Sequence, residues 1–391
     1  MAEPFLPYGR QVIEEDDIAA VAEALRGDFL TTGPQVGAFE AAFAEAVGAP
    51  HAVACINGTA ALHMTMMALG VGEGDVCIVP SVTFLATANC ARYVGAEVVF
   101  SDVDPQSGLM GPDHLAEALQ RAGGRRVAAV LPVHLRGAVA DLPGLARLAQ
   151  DAGAVLVEDA CHALGSAHRS EAGERPVGAC DWSAASTFSF HPVKTIATGE
   201  GGMVVTADAG LAERLRLARS HGMVRPEGGD PWWYEMDSPG YNYRLPDILC
   251  ALGRSQLAKL DRFVSARRAL SLAYARRLEG LSPHLRLAHD PEWSRTAPHL
   301  LTILADFEAL GVSRKAVIEG LARQGIGAQV HYIPVHTQPY YRRRYGDQAL
   351  PGAAAWYARA LSLPLYPGLD EAGVERVVSG LARTLGLGDR I

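Results

Sequence analysis

The chain has no run of lysine and arginine long enough to offset its formal net charge of −8, and Arg342 to Arg344 is too short to change that. Nonspecific nucleic-acid binding is therefore excluded. No apolar stretch approaches the roughly 20 residues that span a bilayer, and the N-terminus has no basic segment followed by an apolar one, so a cytoplasmic protein without a membrane anchor is expected. The six cysteines, at 55, 77, 90, 161, 180 and 250, form no Cys-x-x-Cys pair and no zinc-like spacing. They read as reduced core residues. Repeats and low-complexity tracts are absent as well. What is present is 391 residues, 49% apolar and 20% charged, beyond the roughly 250–300 at which one core stops growing. A large domain over 1–250 and a smaller one over 251–391, joined by a long helix, are expected.

Hydrophobic patterning gives that division content. Glu14 to Asp17 load the first turn of a helix with Ile18, Val21 and Leu25 on one face, ended by Gly27; a second helix carries Phe39, Phe43 and Val47. From His51 strands and helices alternate: strands at 51–56, 75–80, 96–101, 126–133 and 154–158, helices at 58–69, 84–93, 112–121 and 141–151. These strands are short apolar runs rather than alternations, the pattern of a sheet covered on both faces. An α/β fold with a mostly parallel sheet wrapped by helices follows, extended by strands near 184–190 and 201–206. Residues 222–245, dense in Trp, Tyr, Gly and Pro, read as a long functional or interface loop. Beyond a helical stretch over 247–281, strands near 299–306 and 327–332 and helices near 313–324 and after Asp370 read as α+β.

The candidate chemistry centres on Thr187 to Gly202. Alternating aromatics make a strand, Pro192 stops it, and Lys194 follows on a glycine-rich loop, five residues after Ser189. Such a lysine suits a Schiff base with pyridoxal phosphate, the serine hydroxyl bonding the phosphate; a solvated surface lysine is the alternative. Asn57-Gly58-Thr59-Ala60 joins a strand to a helix and either receives a phosphate on free N–H groups or is a plain N-cap. Asp159 closes a buried strand, where it pairs with a pyridinium N–H or forms an internal salt bridge or cap. His331 and His336 suggest a metal only weakly, because Pro334 breaks any shared helical face. Asp102 and Asp104 read as turn caps ahead of Pro105 rather than as paired acids, and Glu200 as a brace for its glycine turn.

Phe-Ser-Phe-His-Pro-Val-Lys, Gly-Glu-Gly-Gly, Glu-Asp-Ala-x-His-Ala-Leu-Gly and Gly-Tyr-Asn-Tyr-Arg together resemble the DegT/DnrJ/StrS sugar aminotransferases, over nearly the whole chain from Pro7 to the final helix. The resemblance implies the type I aminotransferase fold, with a large seven-stranded-type sheet domain. It implies pyridoxal 5'-phosphate, with pyridoxamine phosphate as its intermediate form, carried by Lys194 and paired through Asp159. His162 then lies beside the cofactor phenolate and Phe84 stacks on the ring, although core packing would also suit Phe84. Gly58, Thr59, Ala60 and Ser189 hold the phosphate, as does Asn242 from the neighbouring subunit of a homodimer with shared sites. Tyr8, Phe29, Leu30, Thr31, Asn57, His331, Tyr332, Ile333 and Pro334 match places that meet the nucleotide sugar. Asn57 stands where relatives commonly have Ser, and Cys161 replaces the usual Ala. Within the group the motifs are most similar to members that move an amino group from L-glutamate to C4 of a UDP-linked 4-keto-6-deoxy-N-acetyl hexose in pseudaminic-acid synthesis. Alternatives are a dTDP- or GDP-linked keto sugar, or a non-catalytic regulator on the same scaffold. Sugar dehydration is disfavoured, because those relatives replace the Schiff-base lysine by His.

Overall fold

The computed structural model describes residues 4–388. Its centre is a seven-stranded sheet: β1 (His51–Cys55), β2 (Val76–Pro80), β3 (Glu97–Ser101), β4 (Val127–Val130), β5 (Val155–Asp159), β6 (Ala185–Ser189) and β7 (Gly202–Thr206). Strand order is β1-β7-β6-β5-β4-β2-β3. β2, β3, β4, β5 and β6 pair in parallel, and β7 lies antiparallel to both of its neighbours. β1 consequently runs with the parallel set, which brings the carboxyl ends of β1, β5 and β6 to one edge. Ligands collect at that edge in open α/β sheets. β2 and β7 are buried along their whole length, as their unbroken apolar runs require.

Helices α1 (Glu15–Arg26), α2 (Pro34–Val47), α3 (Gly58–Ala68), α4 (Leu85–Tyr93), α5 (Pro112–Ala122), α6 (Leu142–Asp151) and α7 (Ala209–Arg219) surround the sheet or lead into it. Phe39 and Phe43 of α2 are fully buried and pack on Phe188 and Phe190. The helical stretch expected over 247–281 is two helices, α8 (Asp247–Leu257) and α9 (Leu260–Leu278), broken at Ala258 and Lys259. Beyond them β8 (Leu285–Leu287), β9 (Leu301–Ala305) and β10 (Ala360–Leu363) form an antiparallel sheet. Over it pack α10 (Arg314–Arg323) and α13 (Glu371–Thr384), while α11 (Pro339–Tyr345) and α12 (Pro351–Arg359) lead back into β10. A further small sheet joins 167–170, 173–176 and 294–295.

Two expectations need correction. Ile18 and Leu25 do not form the inward face of α1: they are 53% and 54% exposed, whereas Asp17 is fully buried. Lys259, at 2.7 Å, Ser255 and Gln256 satisfy that carboxylate, so α1 docks through a polar contact that an apolar periodicity cannot reveal. The segment near 327–332 is not a strand either. It makes a single bridge, Gln329 to Ser362, and the Val330 N–H donates to the Gln329 side chain at 2.8 Å instead of to a ladder partner. No helix among the described residues is long and apolar enough to cross a membrane.

Candidate active site

A cavity of about 630 Å³ opens where β1, β5 and β6 end. Its far wall comes from the irregular segment Gln329 to Ile333 together with Tyr8. Lys194, Asp159, His162, Gly58, Thr59, Phe84, Ser189, Tyr8, Asn57, His331, Tyr332 and Ile333 all line it. Of the other residues singled out, Ala60 is buried behind the α3 start, Pro334 is buried behind the wall, and Phe29, Leu30, Thr31 and Asn242 lie outside, exposed. Thr83, Cys161, His191, Glu200 and Gln338 also line the cavity.

The phosphate-sized corner follows from its local sequence. Asn57 caps α3, its Oδ1 accepting the Ala60 N–H at 2.8 Å. The Ala60 N–H is therefore engaged, and the first-turn N–H groups of Gly58 and Thr59 are left without intrahelical acceptors. Only glycine fits on either side of this corner. A Cβ at Gly58 would meet Ser189 Cβ at 2.9 Å, and one at Gly202 would meet the Asn57 backbone at 2.5 Å. The Gly-Glu-Gly-Gly run thus lets β7 press the Asn57 turn against Ser189.

Asp159 is 5% exposed at the end of β5. Its Oδ2 accepts the Thr87 hydroxyl at 2.6 Å and its Oδ1 the Cys161 N–H at 3.2 Å. Among the described residues no carboxylate lies within salt-bridge distance of Lys194, and desolvation pulls its amine below the ordinary lysine value, with Cys161 and Asp159 opposing the shift. The other two lysines of the chain, Lys259 and Lys315, have carboxylate partners. This scarcity of lysine is a signal that reading by motif alone passes over.

His162 is held neutral by burial, reinforced by Lys194, His331 and Arg136. Its Nδ1 accepts the Arg136 N–H at 3.3 Å, so Nε2 carries the proton toward the Tyr332 hydroxyl, 3.1 Å away. His299 packs on it at 4.4 Å between ring centroids. Burial brings His331 down to about 3, and its Nδ1 meets Ser362 Oγ at 2.9 Å. His336 instead meets Ser81 Oγ at 2.5 Å, so the two histidines serve different contacts. Among the described residues no cluster of His, Cys, Asp and Glu has the arrangement of a metal site. Phe84, 55% exposed at the α4 N-cap, is not core packing; its ring faces Tyr332 across 6.1 Å. Asp102 and Asp104 accept backbone N–H groups of 103, 352 and 353, and of 106 and 107, as turn and helix caps do.

A half-buried lysine without an ion pair among the described residues, a buried carboxylate and a helix N-terminus thus face one cavity. The DegT/DnrJ/EryC1/StrS aminotransferase family pattern matches residues 11–382. The chain belongs to that family. Helicobacter pylori PseC, an aminotransferase involved in the biosynthesis of pseudoaminic acid, is 30% identical with a TM-score of 0.89, covering 98% of this chain and 99% of its own. DesV of S. venezuelae, solved with a ketimine intermediate, is 31% identical with a TM-score of 0.86 over 98% and 99% of the two chains. Spr1654 of Streptococcus pneumoniae, solved in PMP, apo and PLP forms, is 26% identical; its PMP-form structure gives a TM-score of 0.88 and covers 98% and 99%.

Proposed function

We propose that this aminotransferase uses pyridoxal phosphate to move an amino group from L-glutamate to C4 of a UDP-linked 4-keto-6-deoxy-N-acetyl hexose, as in pseudaminic-acid synthesis. The observation that carries the reading is the meeting of Lys194, Asp159 and the Asn57–Ala60 turn in one cavity, in a chain similar to PseC along its whole length. The residues fit the cofactor. The cradle at Gly58 would be filled by any Cβ, and Asp159 retains acceptor capacity beyond its two donors. When bound, the cofactor supplies an electron sink for breaking bonds at the amino-bearing carbon.

The protein's own groups would do the rest. Lys194 binds the cofactor aldehyde and, once displaced, its amine moves the proton at the reacting carbon; burial keeps that amine more basic-form than a surface lysine at neutral pH. Asp159 holds the ring N–H, Ser189 and the Gly58 and Thr59 N–H groups hold the phosphate, and Phe84 covers the ring face. His162, through Tyr332, and His331 stay neutral, as polar contacts for substrate oxygens. A homodimer completes the site: Asn242 lies exposed outside its own cavity, in the 222–245 segment that also exposes Trp232, Trp233 and Tyr234, and would reach the neighbour's phosphate.

A TDP-linked substrate is the competing reading, because DesI, solved in the presence of its TDP-sugar product, is also 30% identical. The protein would be incubated with cofactor, glutamate and each 4-keto nucleotide sugar, and the products identified by mass spectrometry. Amination of the UDP-linked N-acetyl sugar is expected. Amination of the TDP-linked sugar alone would contradict the assignment.

A further inference from the structure

The reaction needs a carboxylate fixed in one rotamer, and the start of α4 shows how it is fixed. Thr83 and Thr87 lie four residues apart; Thr83 and Phe84 line the cavity, and Thr87 does not. Both threonines are buried, Thr87 completely and Thr83 at 2%. Their hydroxyls are 2.7 Å apart, and Thr87 Oγ1 lies 2.6 Å from Asp159 Oδ2. A carboxylate can only accept, so Thr87 must donate to Asp159. Its single proton is then spent, and Thr83 must donate to Thr87. Direction in this chain is therefore forced: Thr83 to Thr87 to Asp159. The remaining donor to Asp159 is the longer Cys161 N–H contact at 3.2 Å on Oδ1.

We infer that Thr83 and Thr87 are positioning residues, a two-hydroxyl relay that locks the Asp159 carboxylate and turns its free lone pairs toward the cofactor ring nitrogen. This rests on the proposed pairing of Asp159 with that nitrogen. A hydrogen bond to an ionised acceptor is short and strong, and a buried carboxylate stripped of one is both undersatisfied and free to rotate. Thr87 therefore acts on cofactor binding without lining the cavity; Thr83, which does line it, acts on Asp159 through Thr87.

The test is the dissociation constant for pyridoxal phosphate, titrated by absorbance on the full-length protein, with thermal melting of the unloaded protein alongside. Thr87→Val keeps the shape and removes the hydroxyl; it should bind about tenfold more weakly, and Thr87→Ser should recover to within about threefold. Thr83→Val should lose about threefold. Packing alone would predict the reverse order, with Val tolerated and Ser impaired. Wild-type affinity in Thr87→Val, while Asp159→Asn binds weakly, would overturn the relay and leave the role of Asp159 standing. Wild-type affinity in Asp159→Asn would overturn the pairing itself, and the relay with it. Should Thr87→Val not fold, Thr83→Val carries the same test: affinity equal to wild type overturns the relay.

Discussion

Two of the three lysines show what separates a structural charge from a reactive one. Lys259 sits at the α8–α9 break with its Nζ 2.6 Å from Asp16, 2.7 Å from Asp17 and 3.5 Å from Glu14. Although burial opposes it, those partners raise its pKa. Lys194 is half-buried with no such partner among the described residues, and desolvation lowers its pKa. The first arrangement stabilises the charged form and docks α1 against α8. The second leaves a nucleophile and base at some cost in stability, a trade found at functional sites.

Exchanging the roles is the strongest way to break this comparison. Lys194→Ala should reduce transamination by more than about a thousandfold, while urea unfolding shows a fold at least as stable as wild type, because a desolvated amine has been removed. Lys259→Ala should do the opposite. Activity stays near wild type, while unfolding loses about 2 kcal/mol, less than a fully orphaned buried charge because Ser255 and Gln256 still bond Asp17.

The histidines extend the comparison to pH. His162, His299 and His331 are all held below the ordinary histidine value, chiefly by burial. A group with a depressed folded pKa stays neutral in the native state while the unfolded chain takes up protons. Its stabilising contribution is therefore full above about pH 6.5 and is lost as pH falls toward its folded value, about 3 for His331. Denaturant unfolding between pH 7 and 5 should lose up to about 1.4 kcal/mol per pH unit for each such histidine, and His331→Gln should flatten the slope by about one share. A pH-independent stability would contradict the burial argument. The smallest effect is at Phe84. Exposed as it is, Phe84→Ala should leave the melting temperature unchanged and weaken cofactor binding by about tenfold, the upper range for one aromatic contact.

The sheet from His51 to Thr206 was legible because strands buried on both faces must be apolar throughout, and β2 and β7 are. Lys194, Asp159 and Asn57 were legible because each ends a strand or follows one, where chain direction alone decides which edge it reaches. The inward face of α1 was not, since Asp17 is buried by Lys259, more than two hundred residues away. Nor was the irregular course of 327–332: its alternating side chains look like a strand, but β10 offers it one bridge, at Ser362. The Thr83–Thr87 relay was hidden for a related reason. Two threonines four apart are common, and only the fold brings β5 up behind them.

The most direct test is borohydride reduction of the protein loaded with pyridoxal phosphate, followed by peptide mass spectrometry. With only Lys194, Lys259 and Lys315 available, the phosphopyridoxyl mass should appear on the peptide containing Lys194 and vanish in Lys194→Ala. Its appearance on Lys259 or Lys315, or on none of the three, would contradict the assignment.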